Sequence, residues 1–536
     1  MADPELQSIS HRRLSAGIKR IPGGRELAPQ HHFGLDIAAT NLLAMASSTA
    51  VDSLASALVA RFLRTYNYAE TLKAFIHEAG LAPDVGQTSG DDTNGLTIQS
   101  LLEEKKIFDH SVNFERYGKD NRETDLWSVP APSKPTIVST PTSSNLLSAS
   151  VELWEHSGVP ARPSIISAGA DRQVHLLATA PENAIQASFS GLSDSPVLSY
   201  ASILHGRYVF LTNMSGHLLL QRGSQVLDCK KDHAKYAIKV IAHQQENTAE
   251  SQCAFWVATA GWDATVLVYR VVIPDENSAS SPVIGEPIKR IKLATNPESL
   301  LFVRHIYTGE LLLVLSRRDS TYLYYYEVES VPTETGHDNT AQESHSTECR
   351  LLGKQNLAPH SNAWVTFSPS HLALSPHDPG LLAVATSSEP HMKLIIVRLL
   401  FPSTKSVDKR DVPAAEATVT QASQALEALA LQNREDAAIL VQANTFAPQT
   451  AYSTPQVVWR PDGSGVWVNG DDGVVRGIET KTGKIISTLK NGHEPGCKVR
   501  TIWAGHVDVS GEGEDPAQEE WVISGGFDKR LVVWKV

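Results

Sequence analysis

The chain has 536 residues, 41% of them hydrophobic, enough for one large domain and a small one. A formal net charge of −12 argues against a protein whose main task is neutralising nucleic-acid phosphates, because that needs clustered Lys and Arg. No apolar run approaches a membrane span, and Cys229, Cys253, Cys349 and Cys497 are too scattered for a zinc cluster and too few for a disulfide scaffold. The expectation is an intracellular protein, in the cytoplasm and/or nucleus, without a membrane or direct nucleic-acid partner. Asn213-Met-Ser215 is a formal glycosylation sequon and is read as chance.

Residues 1–45 carry His11-Arg-Arg13, Lys19-Arg20 and Arg25 without apolar periodicity and read as a disordered tail; Asp3 and Glu5 disfavour a transit peptide. Met45 begins the next segment and is a candidate alternative initiator. Over residues 52–81 apolar side chains recur at helical spacing: Leu58, Val59, Phe62 and Leu63, then Tyr68, Leu72 and Phe75. Asn67 separates two short helices, because Asn tolerates the left-handed conformation of a helix C-cap. The order Leu58-Val59, Phe62-Leu63, Asn67-Tyr68, Leu72, Phe75, Glu78 resembles the LisH motif, with Phe62 in place of Tyr and Asn67 in place of Gly.

That resemblance implies a dimerisation element. The physics agrees: two such helices cannot build a core alone, so their apolar stripe needs a partner surface, most simply a second copy of itself. The plainer alternative is a helical hairpin packed on the rest of the protein. Residues 97–116 resume helical spacing through Ile98, Leu101, Leu102 and Ile107-Phe108, and residues 117–133 are charged, then Pro-rich, as in a linker.

From residue 134 to 536 one unit recurs: two apolar runs flanking a tight turn that usually holds an aspartate. The turn positions are Asp171, Ser215, Asp263, Asp319, a degenerate Glu389, Asp472 and Asp528, seven units spaced by 44 to 83 residues. Val, Ile, Leu, Tyr and Trp flank breaks of Gly, Asp, Asn and Ser, which is strand and turn chemistry. The expected fold is mainly β: a seven-bladed propeller behind a small helical motif. The chain ends after the third strand of the last blade, so Pro135-Thr-Ile-Val-Ser139 is expected to supply the fourth and close the ring.

The last unit resembles the WD-repeat family. Ser524, Asp528 and Trp534 match that family's structural tetrad, and Gly505-His506 is taken as its Gly-His. The third unit keeps Thr259 and Asp263, with Tyr269 for Trp and His243 as the candidate histidine; the first keeps Ser167 and Asp171, the fourth Asp319 with Tyr325. Aspartates spread one per blade, instead of converging on one place, point to structure and not to catalysis or metal binding.

Two insertions interrupt the ring, at 332–347 and 403–440. The first is polar. The second is rich in Ala, Glu, Gln and Leu, including Leu426, Leu429 and Leu431, and reads as a helix lying against its own blade or, alternatively, protruding to bind a partner. His205, His360, His371 and His493 fall in loops without recurring neighbours, and no zinc, phosphate-loop or nucleophile-elbow motif is present. The expected function is a non-catalytic, homodimeric interaction scaffold without cofactor, whose propeller receives other proteins or peptides. The alternative is a propeller enzyme of hydrolase or lactonase type with a metal in the central channel.

Overall fold

The computed structural model describes residues 56–87, 97–99, 127, 129–156, 159–179, 183–246, 253–274, 281–329, 348–359, 367–402, 421–509 and 518–536. The expected tail, the polar insertion and most of the 97–116 segment lie outside the described residues. The chain divides into two units, residues 1–120 and 121–536.

In the first unit, helix α1 covers residues 56–65 and α2 covers Ala69–Glu78. Asn67 joins them with φ 57°, the left-handed conformation expected of it. Residues 81–87 fold back on α1, where Arg64 Nε donates to Val85 O at 3.0 Å and Gly86 packs against the backbone of Ala57, Ala60 and Arg61.

The second unit is a propeller of seven four-stranded antiparallel sheets. Blade 1 spans Leu146–Phe189, blade 2 Val197–Lys230, blade 3 Ala237–Lys292, blade 4 Pro297–Asn356, blade 5 Ser368–Pro448, blade 6 Val457–Leu489 and blade 7 Val499–Lys535. The first strand of each blade is innermost, and these strands pack side by side around a central channel. Blade 7 takes its outer strand from Lys134–Val138, which pairs antiparallel with Leu531–Lys535 in the register Thr136 to Val533. The ring therefore closes with strands from both ends of the domain, leaving no unpaired edge at the seam.

Seven apolar clusters fill the seven interfaces between neighbouring blades. Middle strands are thus buried on both faces, which is why Leu311-Leu-Leu-Val-Leu315 is an unbroken apolar run and not an alternating one. Trp127, inside the stretch expected to be a linker, belongs to the cluster between blades 6 and 7. Its ring meets Trp467 edge-on at 5.1 Å and lies 4.4 Å under the Arg460 guanidinium, which is itself bound to Glu520 at 2.6 and 2.9 Å. Gly465 and Gly477 leave room for the indole, since a Cβ on either would collide with it.

In the second insertion helix α3, Gln421–Ala438, runs directly into the outer strand of blade 5. It docks on the outer strand of blade 4: the buried Glu435 accepts the Asn356 N–H at 2.7 Å, and Gln432 donates to Pro359 O. Leu429 and Leu431 stay exposed.

Candidate interaction face

The turns between the second and third strands of the blades lie together at one end of the propeller, and each is built from its own residues and from the linker entering the same blade. Ala170, Met214, Trp262, Arg318 and Phe527 donate their backbone N–H to the linker carbonyls of Asn145, Pro196, Tyr236, Asn296 and Lys498 at 2.8–3.1 Å. That shared bond makes these five positions equivalent despite their unrelated side chains.

Blade 7 adds a side-chain network. Trp534 Nε1–H donates to Ser524 Oγ at 2.8 Å, this hydroxyl lies 2.8 Å from His493 Nε2, and His493 Nδ1 lies 3.0 Å from Asp528 Oδ2. An indole only donates, so Ser524 accepts from it and gives its own proton to Nε2, which places the imidazole proton on Nδ1 facing Asp528. The Glu494 and Arg530 amides also donate to Asp528. Burial alone would raise the Asp528 carboxyl; hydrogen bonds from His493 and from the Glu494 and Arg530 amides outweigh it and hold the pKa at about 2.

The histidine is therefore His493, not the expected His506. His506 is exposed within the inner strand, opposite Glu520. At about 3.3 Å per residue the strand carries it roughly 20 Å from the turn, whereas His493 sits in the linker that passes under it. The signal was present in the sequence as Gly492-His493, immediately before the apolar alternation of the inner strand.

Blade 3 repeats the arrangement with substitutions. His233 Nδ1 lies 3.1 Å from Asp263 and its Nε2 2.9 Å from Thr259 Oγ1, while the Tyr269 hydroxyl donates to Asp232 at 2.9 Å. Burial opposes ionisation of Asp263, but His233, Thr265 and the Ala234 amide hold its carboxyl far below the usual range. His243, the expected partner, lies along the inner strand opposite Trp256 and beside the Phe302 ring. Gly261 explains the close approach of His233, whose ring occupies the place of a Cβ.

The other expected turn residues meet different partners. Asp171 binds His175, four residues on, at 2.8 Å, and Thr142 from the entering linker; Ser167 takes no part, its buried hydroxyl having no partner among the described residues. Asp472 binds Arg476 at 2.5 and 3.1 Å. Asp319 itself has φ 57°, its amide donates to Ser368 Oγ, and its carboxylate joins no histidine among the described residues. Tyr325 instead donates to Gln355 at 2.6 Å. In blade 2 the turn is held by Asn213, which donates to Ser193 and Asp194 of the linker, and the Ser215 amide donates to Ser195 Oγ. Glu389 stands in the corresponding turn of blade 5, before a cis Pro390.

These bonds consume the turn aspartates internally and leave other side chains free on the face. Trp262 is 39% and Phe527 41% exposed, and Tyr236 stacks near Trp262 with ring centres 5.2 Å apart. Among the described residues no group of three or more His, Cys, Asp and Glu is placed to hold a metal.

In the helical unit, the expected dimerisation residues divide by burial. Val59 is 36% and Tyr68 52% exposed; Leu58, Phe62, Leu63, Leu72 and Phe75 are half-buried, and the one fully buried residue described there is Ala60. Phe62 contacts Tyr66 at 4.8 Å between ring centres. The hairpin thus covers its own apolar stripe only in part.

A helical hairpin of this kind together with a seven-bladed ring defines a protein with a LisH domain and a β-propeller domain. The sequence matches the beta-propeller domain of the UCP007778 family over residues 163–534 and the LisH domain of the same family over residues 56–82. The chain belongs to the UCP007778 family. Comparison with curated proteins finds no match.

Proposed function

We propose that the protein is a non-catalytic scaffold that self-associates through the LisH helices and receives partner proteins on the turn face of a WD-repeat-type propeller. The observation that carries this reading is the pair of exposed aromatic side chains, Trp262 and Phe527, held at equivalent turn positions by the same backbone bond. Large aromatic side chains on a rigid frame are the usual anchors of protein interfaces. Self-association would present the face twice and raise avidity through effective concentration. The four cysteines are all unpaired, in keeping with an intracellular setting.

Two measurements test it. Light scattering should give a dimer for the wild type and a monomer for Phe62→Asp, whose charge cannot be desolvated cheaply in an apolar interface; a monomeric wild type at micromolar concentration rejects self-association. Affinity purification with mass spectrometry should show partners that are lost with Trp262→Ala/Phe527→Ala while the melting temperature is kept. Retention of every partner by that variant rejects the turn face as the platform.

A further inference from the structure

The inner strands of blades 3 to 7 line an open cavity of about 480 Å³ in the central channel, of a size that suits a small molecule. Ile241, Leu301, Trp459 and Trp503 form apolar wall, and Lys239, Ser299 and His371 bring polar groups to it. Arg460 also lines it but is committed to Glu520.

Why a lysine stands there follows from a repeated feature of the ring. Six inner strands carry a bulge near the turn face, ending at Ser148, Ser199, Lys239, Ser299, His371 and Thr501. The hydroxyls of Ser199, Ser299 and Thr501 each accept a backbone N–H from the next blade, of Val240, Leu372 and Ala149, at 3.2 Å. His371 also reaches the next blade, its Nδ1 lying 3.1 Å from Val457 O and 3.3 Å from Val457 N. Lys239 cannot accept a hydrogen bond, so it breaks this belt and adds a charge without serving the ring.

Arg500 is the bulged residue of blade 7, next to the same end of the channel. Neither Lys239 nor Arg500 has an ion-pair or hydrogen-bond partner among the described residues. Glu298, the carboxylate that acts on Arg500, is bonded to Arg318 at 2.7 Å. Burial, with Arg500 adding to it, pushes the Lys239 ammonium down; burial brings Arg500 to about 10 against the pull of Glu298. Burial, Lys239 and Arg500 hold His371 at about 3, so it is neutral at physiological pH. Unpaired cations kept in a partly closed channel are costly unless an anion meets them.

We propose that this end of the channel binds a small phosphomonoester, whose dianionic head faces Lys239 and Arg500 and whose apolar body lies against Ile241, Leu301, Trp459 and Trp503. A dianion matches two cations, and Ser299 keeps a hydroxyl proton to donate. The site is independent of the docking role of the turn face.

The test uses full-length protein, with phenyl phosphate and inorganic phosphate as probes, read by calorimetry and by tryptophan fluorescence. Phenyl phosphate should bind saturably at one site and more tightly than inorganic phosphate. Lys239→Met and Arg500→Met should each weaken it about tenfold or more, the loss of one charge-assisted hydrogen bond. Glu152→Gln, which changes the second cavity lined by Glu152, Ser202 and Arg207, should leave binding unchanged. Because Met keeps the apolar stem and removes an unpaired charge, Lys239→Met should melt no lower than the wild type. Absence of saturable binding, binding by either variant as tight as by the wild type, or a marked fall in the Lys239→Met melting temperature overturns the proposal. Binding of an aspartate-rich peptide but not of phenyl phosphate also overturns it, and assigns the channel to an acidic segment of a partner.

Discussion

Blades 6 and 7 are neighbours, and each carries an aspartate in its hairpin turn, yet they anchor it in different ways. In blade 7, Asp528 reaches back 35 residues to His493 in the entering linker and continues through Ser524 to Trp534. In blade 6, Asp472 is satisfied by Arg476 within its own hairpin, and the tie to the linker passes to Asp471, which accepts from Ser453 at 2.5 Å and pairs with Lys498 at 2.9 Å. Blades 3 and 1 extend the contrast: Asp263 uses a linker histidine, whereas Asp171 uses a strand histidine and a linker threonine. What persists is the bond between turn and linker, which fixes each blade to the chain arriving from the one before. The chemistry that makes it is replaceable, so the repeats can diverge in sequence without changing the ring.

The contrast is most exposed in stability. Asp528→Ala leaves His493 and two amides without their acceptor inside a buried network and should cost about 1–3 kcal/mol. Asp472→Ala removes a partly exposed ion pair and should cost less than about 1 kcal/mol. Urea unfolding with unchanged m-values checks both; equal losses would show that the linker histidine adds nothing to the aspartate.

Acid should separate the wild type from Asp528→Asn. Asp528 is held at about 2 in the folded protein against 3.8 as its ordinary value. Its contribution is therefore complete above about pH 4 and disappears as pH falls towards 2, because the unfolded chain takes up the proton first. Asp263 is shifted in the same direction. Asp528→Asn should flatten part of the loss between pH 4 and 2, seen in melting temperatures across that window, and an unchanged slope would contradict the assigned network.

The smallest effect concerns the misplaced histidine. His506→Ala should stay within about 0.5 kcal/mol of the wild type, as expected for an exposed side chain without special contacts, whereas His493→Ala should approach Asp528→Ala. A large loss for His506→Ala would restore the sequence-based choice.

Much of the architecture was legible in the chain itself. Apolar runs around Asp171, Asp263, Asp472 and Asp528 marked the hairpins, because a strand buried on both faces must be apolar throughout and its turn must be polar. Pro135-Thr-Ile-Val was legible as the closing strand, since a last blade of three strands needs a fourth. Asn67 marked the helical break through its tolerance of positive φ. Trp127 was not legible, because a tryptophan in a charged and Pro-rich stretch carries no periodicity; only the slot left by Gly465 and Gly477 between two blades explains its burial.

Local order along the chain was enough to determine strands, turns and their number, because those depend on neighbouring residues alone. The partners of the turn aspartates were decided by the tertiary structure: His493 and His506 both precede Asp528 and differ chiefly in whether the ring lies in the linker or along the inner strand. The same holds for Lys239 and Arg500, which lie 261 positions apart in sequence. They come to the same end of the ring only because seven blades close and bring the first strand of each to its axis.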